Sequence, residues 1–386
     1  MQRRIFAEEH LRFRDAVRRY VIDGVVPNYD TWQRQAHVPR AEWKKAAEHG
    51  LLCPGAPPEL GGAGADFRYS VVIIEELNEQ GAGGFFIPLH NDIAFPYLLE
   101  LATDERKRRW IPGCVSGDHI LALAMTEPGA GSDLARITTK AVKRGEGYVV
   151  DGGKTFISNG QTADLFIVAV RTDPGTARPH EGLSLLVIEA DRPGFVRGTC
   201  LRKIGLHAQD TSELFFAGCE VPASNLLGRE GEGFAAMMRN LQQERLVIAI
   251  GAVAAARGCL ALTVDYTKER RLFGKPLAEM QNTRFELAKL ATAIQTVQSL
   301  VDDLIPRHMA GESIVKEVSM AKYAATETQF DVADRCLQLF GGYGYMEEYP
   351  VSRHFVDARV QRIYGGANEV MLELIARDLI RGPRSP

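Results

Sequence analysis

Leu121-Ala-Leu-Ala-Met-Thr-Glu-Pro-Gly-Ala-Gly-Ser-Asp133 is the stretch on which the reading of the chain turns. Its apolar start predicts a buried strand, and Pro128, Gly129 and Gly131 then force an irregular loop whose backbone N–H groups can turn toward a ligand. Gly129-Ala-Gly131 opens like a dinucleotide fingerprint. Leu134 stands where the third small residue belongs, however, and no βαβ pattern surrounds it, which argues against a nicotinamide site. On this stretch alone, a plain glycine turn between two strands explains the residues equally well.

Working outward, the apolar period is two between His119 and Glu220, with β-branched runs at Leu165-Phe-Ile-Val-Ala-Val170 and Leu183-Ser-Leu-Leu-Val-Ile188. Tyr148-Val-Val, then Asp151-Gly152, then Lys154-Thr-Phe-Ile reads as a hairpin. A small barrel or sandwich is therefore expected in the middle of the chain. Upstream the pattern is helical: Phe13, Val17, Tyr20 and Val21 recur at three and four residues, while residues 54–66 hold too many breakers for anything but a loop. Downstream of Gly233, Leu290, Ile294, Val297, Val301 and Leu304 step like a bundle seam, and similar stripes run from Val315 to Phe340. The expected class is α+β: an all-α part over 1–118, a β part over 119–229 and a four-helix bundle over 230–386.

Composition excludes several function classes. The 386 residues are 45% hydrophobic and 25% charged, enough for two or three packed units. A net charge of -3, with no Lys/Arg run interleaved with aromatics, argues against nucleic acid. The six cysteines are scattered without Cys-x-x-Cys or zinc spacing, so buried thiols in a reducing cytoplasm and no metal are expected. Acids near the start occupy the place of a signal's apolar core. The most apolar run, Leu246 to Ala256, is bounded by Arg245 and Arg257, well short of a membrane span.

Four further motifs follow the first: Gly153-Lys-Thr-Phe-Ile-Ser-Asn-Gly160, Glu269-Arg-Arg-Leu-Phe-Gly274, Gln338-Leu-Phe-Gly-Gly342 and Ile363-Tyr-Gly-Gly-Ala-Asn-Glu369. In this order the chain resembles the acyl-CoA dehydrogenase family, nearest its long-chain and isovaleryl-CoA branch. The resemblance implies bound FAD, an acyl-CoA substrate converted to a trans-2-enoyl thioester, electron-transfer flavoprotein as acceptor and a homotetramer. It places Leu123, Met125, Thr126, Gly131, Ser132, Phe156, Ile157 and Ser158 at the flavin. Phe156 and Ser158 stand where the family usually has tryptophan and threonine, so a flat wall is kept and an indole N–H is lost. Arg270 is implied for the pyrophosphate of a neighbouring subunit's flavin, a role suited to a guanidinium fork. Phe273, Gln281, Gln338, Leu339, Gly341, Gly342, Ala367, Asn368 and Glu369 would complete that shared pocket.

Removing an α-proton beside a thioester needs a carboxylate. Many family members carry it in the final motif, where this chain has Gly365; the alternative place, in residues 241–248, holds Glu244. For a lone Glu-Arg pair the default reading of Glu244 is an exposed acid that complements the helix dipole and pairs with Arg245 or Arg239 on the helix surface. The resemblance implies Glu244 as base, with its pKa raised once water is excluded, and the Gly365 N–H at the thioester carbonyl. Gly366, Ser132 and Arg245 are implied as further substrate contacts, and residues 83–93 as the cap of the acyl pocket. The alternatives are an oxygen-using flavoenzyme on the same scaffold (acyl-CoA or nitroalkane oxidase, flavin monooxygenase), a dehydrogenase of carrier-protein thioesters and a non-catalytic module. A glutamate at position 244 counts against a monooxygenase.

Overall fold

The computed structural model describes residues 3–381. Six helices come first: α1 (Glu8–Tyr20), α2 (Val26–Gln35), α3 (Arg40–Glu48), α4 (Phe67–Glu79), α5 (Phe95–Leu101) and α6 (Asp104–Ser116). α1 carries Glu8 and Glu9 in its first turn and Arg18 and Arg19 in its last, the arrangement that suits the helix dipole. Asp66 caps α4 by accepting from the Arg68 N–H. Glu75 and Glu76 are buried on α4, and Arg14 of α1 binds both at 2.6 and 2.8 Å, so the two helices are locked by paired charge. The segment 54–66 is loop apart from one 3₁₀ turn, Pro58–Leu60. Gly62 is required there, since a Cβ would fall 2.1 Å from the Ala56 carbonyl oxygen.

Eight strands form one mixed sheet: β1 (Leu121–Ala124), β2 (Lys140–Arg144), β3 (Gly147–Ser158), β4 (Leu165–Arg171), β5 (Leu183–Glu189), β6 (Phe195–Cys200), β7 (Thr211–Pro222) and β8 (Leu226–Leu227). The order is β6-β7-β3-β2-β4-β5-β8, with β1 parallel to β4 beside that path. The hairpin expected at Asp151-Gly152 is not there. β3 runs unbroken through it, with a register shift against β7 between Val150 and Gly152. The reason is steric: Gly152 lets the backbone of Thr139, the residue just before β2, approach to 2.7 Å of where a Cβ would sit, so this glycine serves a bulge. The actual β2–β3 turn uses Gly145 at φ 54°.

The remaining helices are α7 (Gly233–Glu269), α8 (Gln281–Met309), α9 (Val315–Phe340), α10 (Pro350–Gln361) and α11 (Asn368–Arg381), with a two-stranded ribbon of β9 (Arg271–Leu272) and β10 (Lys275–Pro276) after α7. α7 packs against α4, α8 and α9, and α10 and α11 lie on α9. The predicted seam of α8 is buried in one cluster with Val247, Ile250, Val318 and Ala325. α7 is long and apolar enough to cross a bilayer by composition, but 67% of its most apolar window is buried inside the protein, as for a core helix.

Candidate active site

Three of the five motifs converge on two adjoining recesses. A cavity of about 200 Å³ is lined by Leu123, Met125, Ile157 and Glu244. Beside it, a recess of about 600 Å³ is lined by Ser132 and Ala367. Thr126, Gly131, Phe156, Ser158, Gly365 and Gly366 border both. The loop after β1 is held in place by a buried ion pair. The Lys154 ammonium, on β3, donates to Glu127 at 2.8 Å and to the Met125 carbonyl at 3.0 Å, while Glu127 also accepts from Thr138 and from the Thr139 N–H. Burial brings Lys154 down to about 8 despite the pull of Glu127. Burial alone would raise Glu127, but Lys154 and the threonine donors outweigh it and hold the carboxyl at about 2. Phe156 stands at φ 58°, inside a second register shift between Lys154 and Ile157, which turns its ring outward to 67% exposure. An L-residue in that region is strained, and here the strain presents a flat aromatic face to the recess.

Glu244 lies on α7 and is 6% exposed, as is Arg245, so neither belongs to a solvated helix face. Arg239 instead sits 3.8 Å from Glu100. The Tyr97 hydroxyl donates to Glu244 Oε1 at 3.0 Å. Burial pushes the Glu244 carboxyl up to about 7, against the opposing effects of Tyr97 and Arg245. Across the cavity Gly365 adopts φ 61°, and a Cβ there would lie 2.2 Å from Ile248 Cδ1. Ile248 fills the volume that a side chain at 365 would need. Gly366 is pinned from behind by Lys322, fully buried on α9, which donates to its carbonyl at 2.8 Å and to Asn368 Oδ1 at 2.9 Å. Burial, then the nearby Arg245, lowers Lys322 to about 8.

The other candidates lie elsewhere on the chain. Arg270, Gln338, Leu339, Gly341 and Gly342 line a third recess of about 720 Å³ that shares no lining residue with the first two. Gln281 opens α8, whose next residues Asn282 and Thr283 line that recess. The Arg270 guanidinium sits 5.4 Å from the centre of the Tyr343 ring. Phe273, at the tip of the β9–β10 ribbon, has φ 50° and is 97% exposed. Asn368 is turned inward: its amide donates to Thr326 and Glu327, and its oxygen is taken by Lys322. Glu369 is exposed at the start of α11.

The acyl-CoA dehydrogenase N-terminal, middle and C-terminal domain models of that family match residues 7–118, 122–219 and 231–380. The chain belongs to the acyl-CoA dehydrogenase family. It is 43% identical to the long-chain specific acyl-CoA dehydrogenase of Sus scrofa mitochondria, over 98% of this chain and 88% of the relative. It is 37% identical to an acyl-CoA dehydrogenase of Bacillus subtilis, over 97% and 99%. The crystal structure of acyl-CoA dehydrogenase from Geobacillus kaustophilus superposes with a TM-score of 0.96 at 52% identity, covering 98% of this chain and 100% of that one. Such relatives are FAD-dependent oxidoreductases, and the oxygen-using alternatives are not favoured.

The residues of this acyl-CoA dehydrogenase fit a flavin. Phe156 offers an exposed ring, Thr126 and Ser158 border both recesses, and a Cβ at Gly129 or Gly131 would meet nothing within 4 Å, leaving the loop backbone open to a ligand.

Ile248 gives a first prediction. Moving the acid to the position many acyl-CoA dehydrogenases use, as Gly365→Glu in a Glu244→Gln background, should restore little activity, because overpacking against Ile248 costs about 1–3 kcal/mol on top of the positive φ. Adding Ile248→Ala should raise the rate at least severalfold, measured as anaerobic flavin bleaching. Equal rates with and without Ile248→Ala would show that Ile248 does not govern the site.

Sequence reasoning missed Lys154, Lys322, Tyr97 and Ile248 as site residues. Two of them leave a signal. Lys154 falls at the inward parity set by Tyr148 and Val150, and Lys322 falls on the buried stripe of Val318, Ala325 and Gln329. A lysine at an inward position must find acceptors. Tyr97 and Ile248 look like ordinary core residues until the helices are packed.

Proposed function

We propose that this acyl-CoA dehydrogenase converts a neutral hydrocarbon acyl-CoA to the trans-2-enoyl thioester, with Glu244 as the base that takes the α-proton. The observation that carries this reading is a buried carboxyl, raised to about 7, on the wall of a cavity bordered by Thr126, Phe156 and Gly365. A base of that strength, poised near neutrality and shielded from water, suits a carbon acid. The Gly365 N–H serves the thioester carbonyl, where one such donor contributes about 3–4 kcal/mol to the transition state. Lys322 keeps the Gly365-Gly366 turn in place for that contact. Leu123, Met125, Thr126, Gly131, Ser132, Phe156, Ile157 and Ser158 would hold FAD, which would supply the acceptor for the β-hydride.

Beyond Glu244 the cavity is walled by Phe86, Leu89, Ile93, Leu241 and Ile248, with no cation among its lining residues. That lining favours an acyl tail without charge, since an unpaired carboxylate there would lose its solvation uncompensated. The recess of Arg270 and Gln338 to Gly342 serves a neighbouring subunit's flavin in this reading, so the working form is an oligomer, a homotetramer by family resemblance, with electron-transfer flavoprotein as acceptor. The six cysteines, all unpaired, suit a reducing cytoplasm.

A panel of acyl-CoAs graded in length and branching, with one ω-carboxyacyl-CoA of matched length, tests the reading by anaerobic bleaching of the flavin. Hydrocarbon thioesters should bleach it, and the ω-carboxy analogue should be at least tenfold slower, a margin of roughly 1.4 kcal/mol set by the uncompensated charge. A preference for the carboxylated substrate would sink the proposal of a neutral acyl group.

A further inference from the structure

Among the described residues, the one hydrogen bond to the Glu244 carboxylate comes from Tyr97, which lies 147 positions away in sequence. Tyr97 is 0% exposed on α5, directly after the π-helical turn Leu89–Ala94 that supplies Leu89 and Ile93 to the cavity wall. One segment thus shapes the acyl cavity and also reaches the base from behind. The two carboxylate oxygens are in different positions. Oε1 is held by the phenol, whereas among the described residues no donor reaches Oε2, and Glu244 lines the cavity. Asn240, on the preceding turn of α7, sits against the same hydroxyl.

We propose that Tyr97 is a positioning residue for the dehydrogenation, orienting the Glu244 carboxylate so that Oε2 faces the substrate α-carbon and favouring its ionised form. The proposal rests on Glu244 being the base. Burial, then the charge of Glu244, holds the phenol protonated far above neutrality, so toward a carboxylate it acts only as a donor. A donor to the charged form makes ionisation easier, and a fixed oxygen shortens the search for the geometry of proton abstraction. A buried tyrosine commonly finds some partner, so hydrogen-bond satisfaction alone would explain the contact. A purely structural tyrosine would not, however, set the base's titration.

The other charged groups around Glu244 are Arg245 on its own helix, Lys322 on α9 beside Arg245, Asp92 buried in the π-helical turn and the Arg239–Glu100 pair on the outer side of α7. Tyr97→Phe removes none of them.

The test compares Tyr97→Phe with Glu244→Gln in the full-length, FAD-loaded enzyme. Tyr97→Phe should lower kcat about tenfold, the typical effect of losing a hydrogen bond to a charged group, with KM for acyl-CoA little changed. The midpoint of the rise in kcat/KM with pH should move up by about one unit. An unmoved midpoint overturns the proposal whether or not kcat falls, because a packing defect lowers rate without retuning the base. If Glu244→Gln still bleaches, the assignment of the base fails first, and the two outcomes are thereby distinguished. Should the phenylalanine variant not fold, fluorotyrosine at position 97, equal in shape and more acidic, should move the midpoint down. No movement would again overturn the proposal.

Discussion

Glu244→Gln is expected to keep its bound flavin and to lose anaerobic bleaching by acyl-CoA by a factor of about 10²–10⁴, the usual contribution of a positioned general base. The glutamine preserves the shape of the side chain and an acceptor for the Tyr97 hydroxyl, so packing on α7 should survive. Bleaching at the wild-type rate would remove Glu244 from the mechanism. In the wild-type enzyme the base works when deprotonated, so the rate should climb as pH rises through about 7.

The same group makes a prediction about stability, and its sign is opposite to that of an ion-paired acid. The folded-state pKa is raised from 4.5 to about 7 by burial. Between those values the unfolded chain loses its proton while the folded one keeps it, so stability falls as pH rises through this window. Below about 4.5 the group has no effect, and above about 7 it costs the fold on the order of 3 kcal/mol. Glu244→Gln should therefore melt at a higher temperature than wild type at pH 8 and at nearly the same temperature at pH 4.5. Asp92, raised by burial to about 7, acts in the same direction in both proteins, so only the difference between them isolates Glu244. A variant less stable than wild type at pH 8 would contradict the burial argument.

Lys154→Met should be the most destabilising single change near the flavin loop, by about 3–5 kcal/mol in equilibrium unfolding. It strands Glu127, whose remaining donors Thr138 and Thr139 cannot replace a full charge, and frees the Met125 carbonyl, which Lys154 holds just after β1. Bound FAD should be lost with it, read as colourless protein. Adding Glu127→Leu should recover much of the stability, because a buried charge left alone is worse than none. It should not recover flavin binding if the loop requires the lysine's bond to Met125. A single Lys154→Met variant as stable as wild type would show that solvent reaches this pair.

Much of the architecture follows from local information. The shift from a period of 3.6 to a period of two and back is written in side chains that alternate or stripe over a few turns, and each segment carries its own evidence. The seam of α8 illustrates this: residues three and four apart share a face in any α-helix, so Leu290 to Leu304 had to be buried together. The clustering of Thr126, Phe156, Ser158 and Gly365 could be expected only through resemblance to a family. Nothing in the spacing of residues 126 and 365 says that they border the same recesses.

The misreading at Asp151-Gly152 marks a boundary of another kind. The same dipeptide suits a tight turn or a bulge, and the choice depends on Thr139, just before β2, lying against it. Glu244 is the fuller case. Its residue type and its place on a long helix were fixed by sequence, yet a Glu-Arg pair on a helix reads the same whether it faces solvent or a cavity. Only the packing of α5 and α9 against α7 buried it, gave it the Tyr97 hydroxyl and raised its pKa toward neutrality. Periodicity and turn chemistry are properties of neighbours along the chain, whereas burial, desolvation and hydrogen-bond partners depend on residues brought together from far along it, 147 positions in the case of Tyr97, and the chemistry of this site depends on the latter.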